Sequence, residues 1–468
     1  MPDNQIAISK LNVLLVKPFM STDEIQPPLG LGYLATTIRD RHEVSILDGI
    51  KENTSLEDFR DKIKKERPDV VCIQCYTFDK PIVREMIRII KNIDRSIKTI
   101  IGGPEPSSNA KGVFDYFNAD FGFMGEAEIG FPQLIDHIAG KNIRLEDIPS
   151  LIWKNNKRTV VNPQKFIEDL DDLNHPSWDL LRPDTYPQAP HGAFFKRMPT
   201  APIFATRGCP YQCTFCAGFL VSGRKIRYRS VNNFVDEIEM LHKKYGINEI
   251  HIEDDNFSMK RQFVEDFCNE LLRRKIDIAW ACPNGLRMDT LDEELIALMK
   301  KTGLHVVSVG IESGSERILK EMKKSLTKDK IREKLAMLNR ANLDLVGFFI
   351  LGFPGETVED INQTIDFACE LPLKRASFML FKPFPGTEIT RKIEHELNDK
   401  DIHWENFALN KVVYSPKGMT QEQLKRLRQK ALIKFYFRPR IMYSFFMSLR
   451  SFTHAKFVFK RAFKWLLN

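Results

Sequence analysis

The sequence predicts an α/β chain in three parts: a doubly wound parallel sheet, then an incomplete barrel of six βα units, then a helical C-terminal region. Three observations predict it. Strand-length apolar runs alternate with amphipathic helical stretches from residue 11 to about 140, the alternation resumes from about 200 to 390, and a stretch rich in Pro, Asn and Asp separates the two series. The expected divisions are 1–140, a linker over 141–195, a barrel over 196–395, and a helical region over 396–468.

In the first series the strand runs are "LNVLLVKP", "HEVSILDG", "DVVCIQCYT", "KTIIGGP" and "ADFGFMG", with helical segments such as "SLEDFRDKIKKERP" between them. Five βα units of this kind predict a parallel, doubly wound sheet, with a ligand expected at the carboxyl ends of its strands. The linker "NPQKFIEDLDDLNHPSWDLLRPDTYPQAP" loses periodicity, and Trp178 and Tyr186 are expected to dock it. The second series offers "PIFATRGC", "EIHIEDDN", "IAWACPNGL", "HVVSVGIES", "DLVGFFILG" and "RASFMLFKPF". Six units fall short of a closed eight-fold barrel of the TIM type, and the chemistry is expected at the strands' carboxyl ends.

With 43% apolar and 28% charged residues in a chain of 468, the composition is that of a globular protein. The N-terminus lacks the pattern of a signal peptide and no stretch approaches the roughly 18 apolar residues of a membrane span, so a cytoplasmic location is expected. The net charge of +8 is concentrated in residues 421–468, which hold twelve Lys or Arg against one acidic residue. Within "HAKFVFKRAFKWLLN", Lys456, Lys460 and Lys464 share one helical face while Phe459, Phe463 and Leu466 or Leu467 share another. That amphipathic, basic end fits either packing across the open barrel or peripheral contact with a membrane surface.

Eight cysteines in so long a chain do not make a disulfide framework. Cys72 and Cys75 form a CxxC on a strand, where residues three apart face opposite ways, so both are read as buried structural thiols; Cys268, Cys282 and Cys369 are read as core residues. Cys209, Cys213 and Cys216 in "ATRGCPYQCTFCAG" are different, because three thiols crowd a Gly- and Pro-containing loop after the first barrel strand with no fourth partner near them. A structural zinc site wants four ligands, and neither His175 nor His191 has ligand spacing to these cysteines. An iron–sulfur cubane held by three thiolates keeps one iron open for a chelating substrate.

The CxxxCxxC of Cys209, Cys213 and Cys216, with Phe215 before the last cysteine, resembles the radical S-adenosylmethionine (SAM) superfamily. The resemblance implies a [4Fe-4S] cluster on these cysteines that binds SAM and cleaves it to a 5′-deoxyadenosyl radical. It extends along the barrel and implies SAM contacts: Glu253, Asp254 and Asp255 in "HIEDDNF", Asn284 and Arg287 in "PNGLRMD", Glu312 and Ser313 in "GIESGS", and Leu351 and Gly352 in "GFFILGFPGET". Taken singly, a carboxylate at a strand end is a good acceptor for an ammonium or hydroxyl, and glycine lets backbone approach a flat ring.

In the first series, "PPLGLGYLA", "CYTF", "IIGGPEPS" and "FGFMGEAEIGF" resemble the Rossmann-like cobalamin (B12) domain fused to many radical SAM proteins. The resemblance implies contacts from Pro28, Leu29 and Gly30, from Tyr76, Thr77 and Phe78, from Gly102, Gly103 and Pro104, and from Gly125 and Glu126. The DxHxxG element that places a histidine on cobalt in other B12 proteins is absent, and His42 and His137 lie outside any such pattern.

Together the resemblances imply a cobalamin-dependent radical SAM enzyme that methylates an unactivated carbon, with cyclisation or ring rearrangement as the alternative chemistry of the same architecture. A small molecule or lipid is the implied substrate, and flavodoxin or ferredoxin the kind of electron donor. The basic tail alone suggests nucleic-acid binding or modification, but a methylthiotransferase-like RNA enzyme needs a second set of three cluster cysteines, and only Cys72 and Cys75 stand in the first domain. No residue is assigned as a general acid or base; Tyr211, Tyr228 and Arg227 lie near the cluster loop without a role the sequence defines.

Overall fold

The computed structural model describes residues 9–19, 25–187, 195–397, 404–407 and 411–447. Its first sheet begins with β1 (Asn12–Lys17), β2 (Glu43–Asp48), β3 (Val70–Gln74), β4 (Lys98–Gly102) and β5 (Phe121–Phe123), all parallel in the order β2-β1-β3-β4-β5. Alternation along β1 explains why the run is apolar throughout: Leu14 and Val16 enter a core with Val71, Ile73 and Cys75, while Val13 and Leu15 enter another with Val70 and Cys72. Helices cover both faces. Lys80–Ile93 buries Val83, Met86, Ile87 and Ile90 in the first core, and Leu29–Ile38 and Gly130–Ile138 bury Leu31, Ala35, Phe131 and Leu134 in the second. The strand order reverses between β1 and β3, and a doubly wound sheet offers its ligand crevice beyond the carboxyl ends at that reversal.

The stretch expected to be a linker does more than connect. β6 (Leu151–Asn155) and β7 (Arg158–Val161) add antiparallel strands beside β5, so the first sheet has seven strands. Both are short and only half apolar, which leaves them without the strong pattern that marks β1–β5. Trp178 and Tyr186 anchor the remainder: the Trp178 indole donates to Glu237 Oε1 at 2.7 Å, and the Tyr186 hydroxyl donates to Asp48 Oδ2 at 2.6 Å.

A second parallel sheet contains six strands. They are β8 (Thr200–Ile203), β11 (Glu249–Ile252), β12 (Ala279–Cys282), β13 (Leu304–Glu312), β14 (Asp344–Leu351) and β15 (Arg375–Leu380), one for each expected βα unit. Between β8 and β11 a two-stranded ribbon pairs β9 (Thr206–Arg207) with β10 (Arg227–Tyr228). By packing, the chain forms two units, one of residues 1–210 with 217–255 and the other of 211–216 with 256–468. The first therefore holds the seven-stranded sheet, the former linker, the ribbon, β8 and β11.

In the second unit, helix Gln421–Tyr436 starts on a Thr420–Gln423 capping box and lies over β15. Leu424, Ala431, Leu432 and Phe435 are buried, and so is Arg428, whose Nε donates to the Phe378 carbonyl at 3.2 Å. Part of the basic C-terminal region is thus a buried lid on the sheet. The segment 454–468, on which the expected membrane contact rests, lies outside the described residues, as does His191, and nothing described supports that contact. Among the described residues no helix is long and apolar enough to cross a membrane.

Candidate active site

The cysteine loop is fixed from both of its ends. In the first unit Gly208 adopts φ +94°, and a Cβ there would lie 2.3 Å from the Lys225 carbonyl, so no side chain fits before Cys209. The Cys209 N–H donates to the Gly223 carbonyl at 3.2 Å. In the second unit buried Thr214 is the anchor: its N–H donates to the Met322 carbonyl at 3.1 Å, its hydroxyl to the Glu321 carbonyl at 3.1 Å, and its own carbonyl accepts from Ile389 N at 3.0 Å. The Cys216 N–H closes a turn onto the Cys213 carbonyl at 3.2 Å, and Phe215 packs against the buried cluster that contains Ile318, Met322, Ile350 and Phe353. Cys209 and Cys213 are half-buried thiols and Cys216 an exposed one.

Around the Cys213 arm the second unit gathers charge. Lys324 and Glu312 form a buried pair at 2.7 Å, with Glu312 at φ +68°. Burial disfavours the charge on Lys324, yet the Glu312 carboxylate and the Cys213 sulfur outweigh it and hold the amine above the ordinary lysine range. Arg287 clasps Asp289 through Nε and Nη2 at 3.0 and 2.9 Å, and its guanidinium lies 3.7 Å from the centre of the Tyr211 ring. Asn284, in the same turn, is exposed.

Ser313 and Gly352 are tied into the backbone. The Ser313 hydroxyl accepts from Ser315 N at 3.1 Å and pairs with the Thr364 hydroxyl at 3.1 Å in a fully buried position. Leu351 is buried, and Gly352, at φ +81°, sends its N–H to Glu356 Oε2 at 2.6 Å, while Phe353 N donates to the same oxygen at 3.1 Å. Burial pushes Glu356 up to about 8 despite those two donors, and its other oxygen has no partner.

The acidic triple after β11 divides its labour within the first unit. Asp254 turns both oxygens to the backbone, accepting from Ala205 N at 2.9 Å and Thr206 N at 2.8 Å, and burial pushes it up to about 7. It braces the strand that leads to Cys209. Glu253 is half-buried, and Asp255 is exposed and accepts from the Ser222 hydroxyl at 2.5 Å.

At the carboxyl ends of β3, β4 and β5, also in the first unit, the expected turns line up. Gly103 requires φ +99°, and a Cβ there would sit 3.2 Å from the Cys75 carbonyl, whereas a Cβ on Gly102 or Gly30 would meet nothing within 4 Å. Tyr76 is exposed and stacks on Phe78 with centroids 5.4 Å apart; Thr77, Pro28 and Leu29 are buried, and Pro104 opens the short helix after Gly103. Beneath these turns Lys80 and Glu105 form a buried pair at 2.8 Å. Glu105 Oε2 and Gln74 Oε1 are buried acceptors that lack a donor. Gly125 faces no open space, since a Cβ would lie 1.7 Å from Gln164 Nε2, and Glu126 has both oxygens engaged by Arg227 at 2.6 and 2.8 Å. The Glu126 carboxylate is thus paired with a buried arginine.

The sequence matches the family model of the Radical SAM superfamily over residues 203–368 and that of the B12 binding domain over residues 20–135. It is 32% identical over 94% of its own length and 94% of the relative's to "Uncharacterized methyltransferase PH0819" of Pyrococcus horikoshii. This chain belongs to the radical SAM superfamily, in the branch that carries a B12-binding domain. A second relative, the anaerobic magnesium-protoporphyrin IX monomethyl ester cyclase of Rubrivivax gelatinosus, is 25% identical over 85% of this chain and 71% of its own. Among solved structures the fold is shared with the radical SAM methyltransferase TsrM of Kitasatospora setae, described with cobalamin and a [4Fe-4S] cluster bound, at 20% identity and a TM-score of 0.68 over 90% of this chain and 85% of that one.

The residues present fit the cofactors of a radical SAM enzyme with a B12 domain. Among the described residues no three His, Cys, Asp or Glu side chains converge as they do on a single ion. For cobalamin, a side chain at Gly102 or Gly30 would meet nothing within 4 Å, so the backbone at these turns is open to close approach by a ligand. Sequence reading missed Thr214, Lys324, Glu356, Lys80 and Glu105. Of these Thr214, Glu356 and Glu105 lie inside quoted motifs; Lys80 and Lys324 are marked only by contacts distant in the chain.

Proposed function

We propose that this protein is a cobalamin-dependent radical SAM methyltransferase that methylates a carbon of a small-molecule substrate. One observation carries the proposal: both family models lie in one chain that aligns along nearly its whole length with a relative named a methyltransferase. When bound, the cluster and SAM supply hydrogen abstraction through the deoxyadenosyl radical, and cobalamin supplies a methyl carrier.

The protein's part is to hold and shield these groups. Cys209, Cys213 and Cys216 hold the cluster, with Thr214 and Gly208 setting the path of the loop. Phe215, Glu253, Asp255, Asn284, Arg287, Glu312, Leu351 and Gly352 are the proposed SAM contacts, while Asp254 and Ser313 position the backbone around them. Pro28, Leu29, Gly30, Tyr76, Thr77, Phe78, Gly102, Gly103, Pro104 and the Gly125 backbone are the proposed cobalamin contacts. With no histidine in DxHxxG position, none of these residues is assigned to cobalt. The reducing electron is assigned to a small redox protein of the flavodoxin or ferredoxin kind.

Incubating the anaerobically reconstituted enzyme with reductant, methyl-deuterated SAM and candidate small molecules tests the proposal. Labelled methyl in a product, together with 5′-deoxyadenosine and S-adenosylhomocysteine, is the expected result. Deoxyadenosine without methyl incorporation favours cyclisation or rearrangement, the second chemistry that the cyclase relative brings into view.

A further inference from the structure

The B12-domain turn Gly125-Glu126-Ala127-Glu128 and the approach to Cys209 meet inside the first unit in a buried group of four charges. The ribbon pairs Arg207 directly opposite Arg227. Like charges at such positions repel, so the ribbon forms only with counter-ions between them, and the turn provides two. Glu126 takes Arg227 through both oxygens at 2.6 and 2.8 Å and stands 3.5 Å from Arg207 Nη1; Glu128 Oε1 accepts from Arg207 Nη2 at 2.8 Å. None of the four side chains is exposed beyond 10%.

On one side this group reaches the cysteine loop. Arg227 Nη2 donates to the Ser222 carbonyl at 2.9 Å, and the next carbonyl, of Gly223, accepts the N–H of Cys209 at 3.2 Å. On the other side it reaches the Gly102-Gly103 turn. The Gly125 N–H donates to Ser107 Oγ at 2.8 Å, and that hydroxyl donates to the Gly103 carbonyl at 2.8 Å. Arg207 also lies 4.9 Å from the centre of the Tyr33 ring, on the helix that begins at Pro28-Leu29-Gly30. The path from the Gly102-Gly103 turn to the Cys209 backbone runs through these hydrogen bonds and the Glu126–Arg227 ion pair, joined by the Gly125–Glu126 and Ser222–Gly223 peptide bonds.

We infer that Glu126 is a positioning residue that couples the two cofactor sites, so that cobalamin binding at the B12 turns and cluster binding at Cys209 strengthen each other. The inference rests on the cobalamin reading proposed above and deepens it. Coupling of this kind is reciprocal: whatever factor cobalamin contributes to the stability of the cluster loop, the assembled cluster contributes to cobalamin affinity.

The test is an anaerobic titration of hydroxocobalamin into the full-length chain, with and without reconstituted cluster. Wild type is expected to bind cobalamin at least about 5-fold more tightly when the cluster is present, the lower end of usual coupling factors. Glu126→Gln is expected to lose most of that difference while still binding cobalamin, and Glu126→Asp to recover part of it. The wild-type comparison needs no variant, so a Glu126→Gln chain that fails to fold leaves the test standing. Equal affinity in the two wild-type states overturns the coupling alone, as does a Glu126→Gln chain that keeps the full difference or loses affinity equally in both states. Absence of cobalamin binding in any state overturns both the coupling and the cobalamin reading.

Discussion

Lys324 Nζ stands 2.7 Å from Glu312 Oε1, both side chains are buried, and Glu312 holds the left-handed φ of +68°. A β-strand that ends in a charged residue of positive φ stores strain, and here the fixed amine satisfies the carboxylate while the chain turns. Replacing Lys324 by Met leaves a buried carboxylate uncompensated, a loss of about 3–5 kcal/mol by precedent for broken buried pairs. Urea unfolding of the reconstituted protein should show that loss, and Lys324→Met with Glu312→Gln should recover a substantial part of it.

Glu356 gives stability a pH dependence of defined sign. Its folded-state value, about 8, lies above the ordinary 4.5 because burial disfavours the charge. The folded state therefore binds the proton more tightly than the unfolded state, and this contribution is complete below about pH 4.5, declines as pH rises and is gone above about pH 8. Urea midpoints at acidic, neutral and alkaline pH should fall less steeply in Glu356→Gln than in wild type. Equal slopes would remove Glu356 as the source.

The two glycines at the carboxyl end of β4 should behave oppositely. A side chain at Gly102 meets nothing within 4 Å, so Gly102→Val is expected to keep wild-type stability within about 0.5 kcal/mol, as for substitutions away from packed features, and to weaken cobalamin binding by filling the cradle. Gly103→Ala meets the Cys75 carbonyl at 3.2 Å and φ +99°, and should lower stability itself. Cobalamin titration and thermal melts of both variants separate the two effects.

Thr214 is the pin of the Cys213–Cys216 arm. Thr214→Val keeps the shape and removes the hydroxyl's bond to the Glu321 carbonyl, worth about 1 kcal/mol. The cluster should still assemble but should release iron to a chelator about 5-fold faster, the rate ratio of about 1 kcal/mol. An unchanged release rate would show that the hydroxyl does not hold the loop.

The sequence made the parallel strands legible because β1–β5 and the six barrel strands are apolar runs between helical periods, a signal set by burial on two faces. It made the three cysteines legible because their spacing leaves so few structural uses. It did not reveal β6 and β7, whose exposed edge residues dilute the pattern. Nor could it show that Asp254 and Glu126 each hold an internal partner. Local sequence shows a carboxylate but not its partner, and here the partners are the Ala205 and Thr206 amides and a buried arginine 101 residues away.

The central claim is a three-cysteine cluster that binds SAM. Its most direct measurement is the electron paramagnetic resonance spectrum of the anaerobically reconstituted, reduced protein during a SAM titration. The account predicts a [4Fe-4S] signal that shifts when SAM is added and is lost in Cys213→Ala. A reconstituted chain without iron and acid-labile sulfide, or a cluster signal indifferent to SAM, would contradict it.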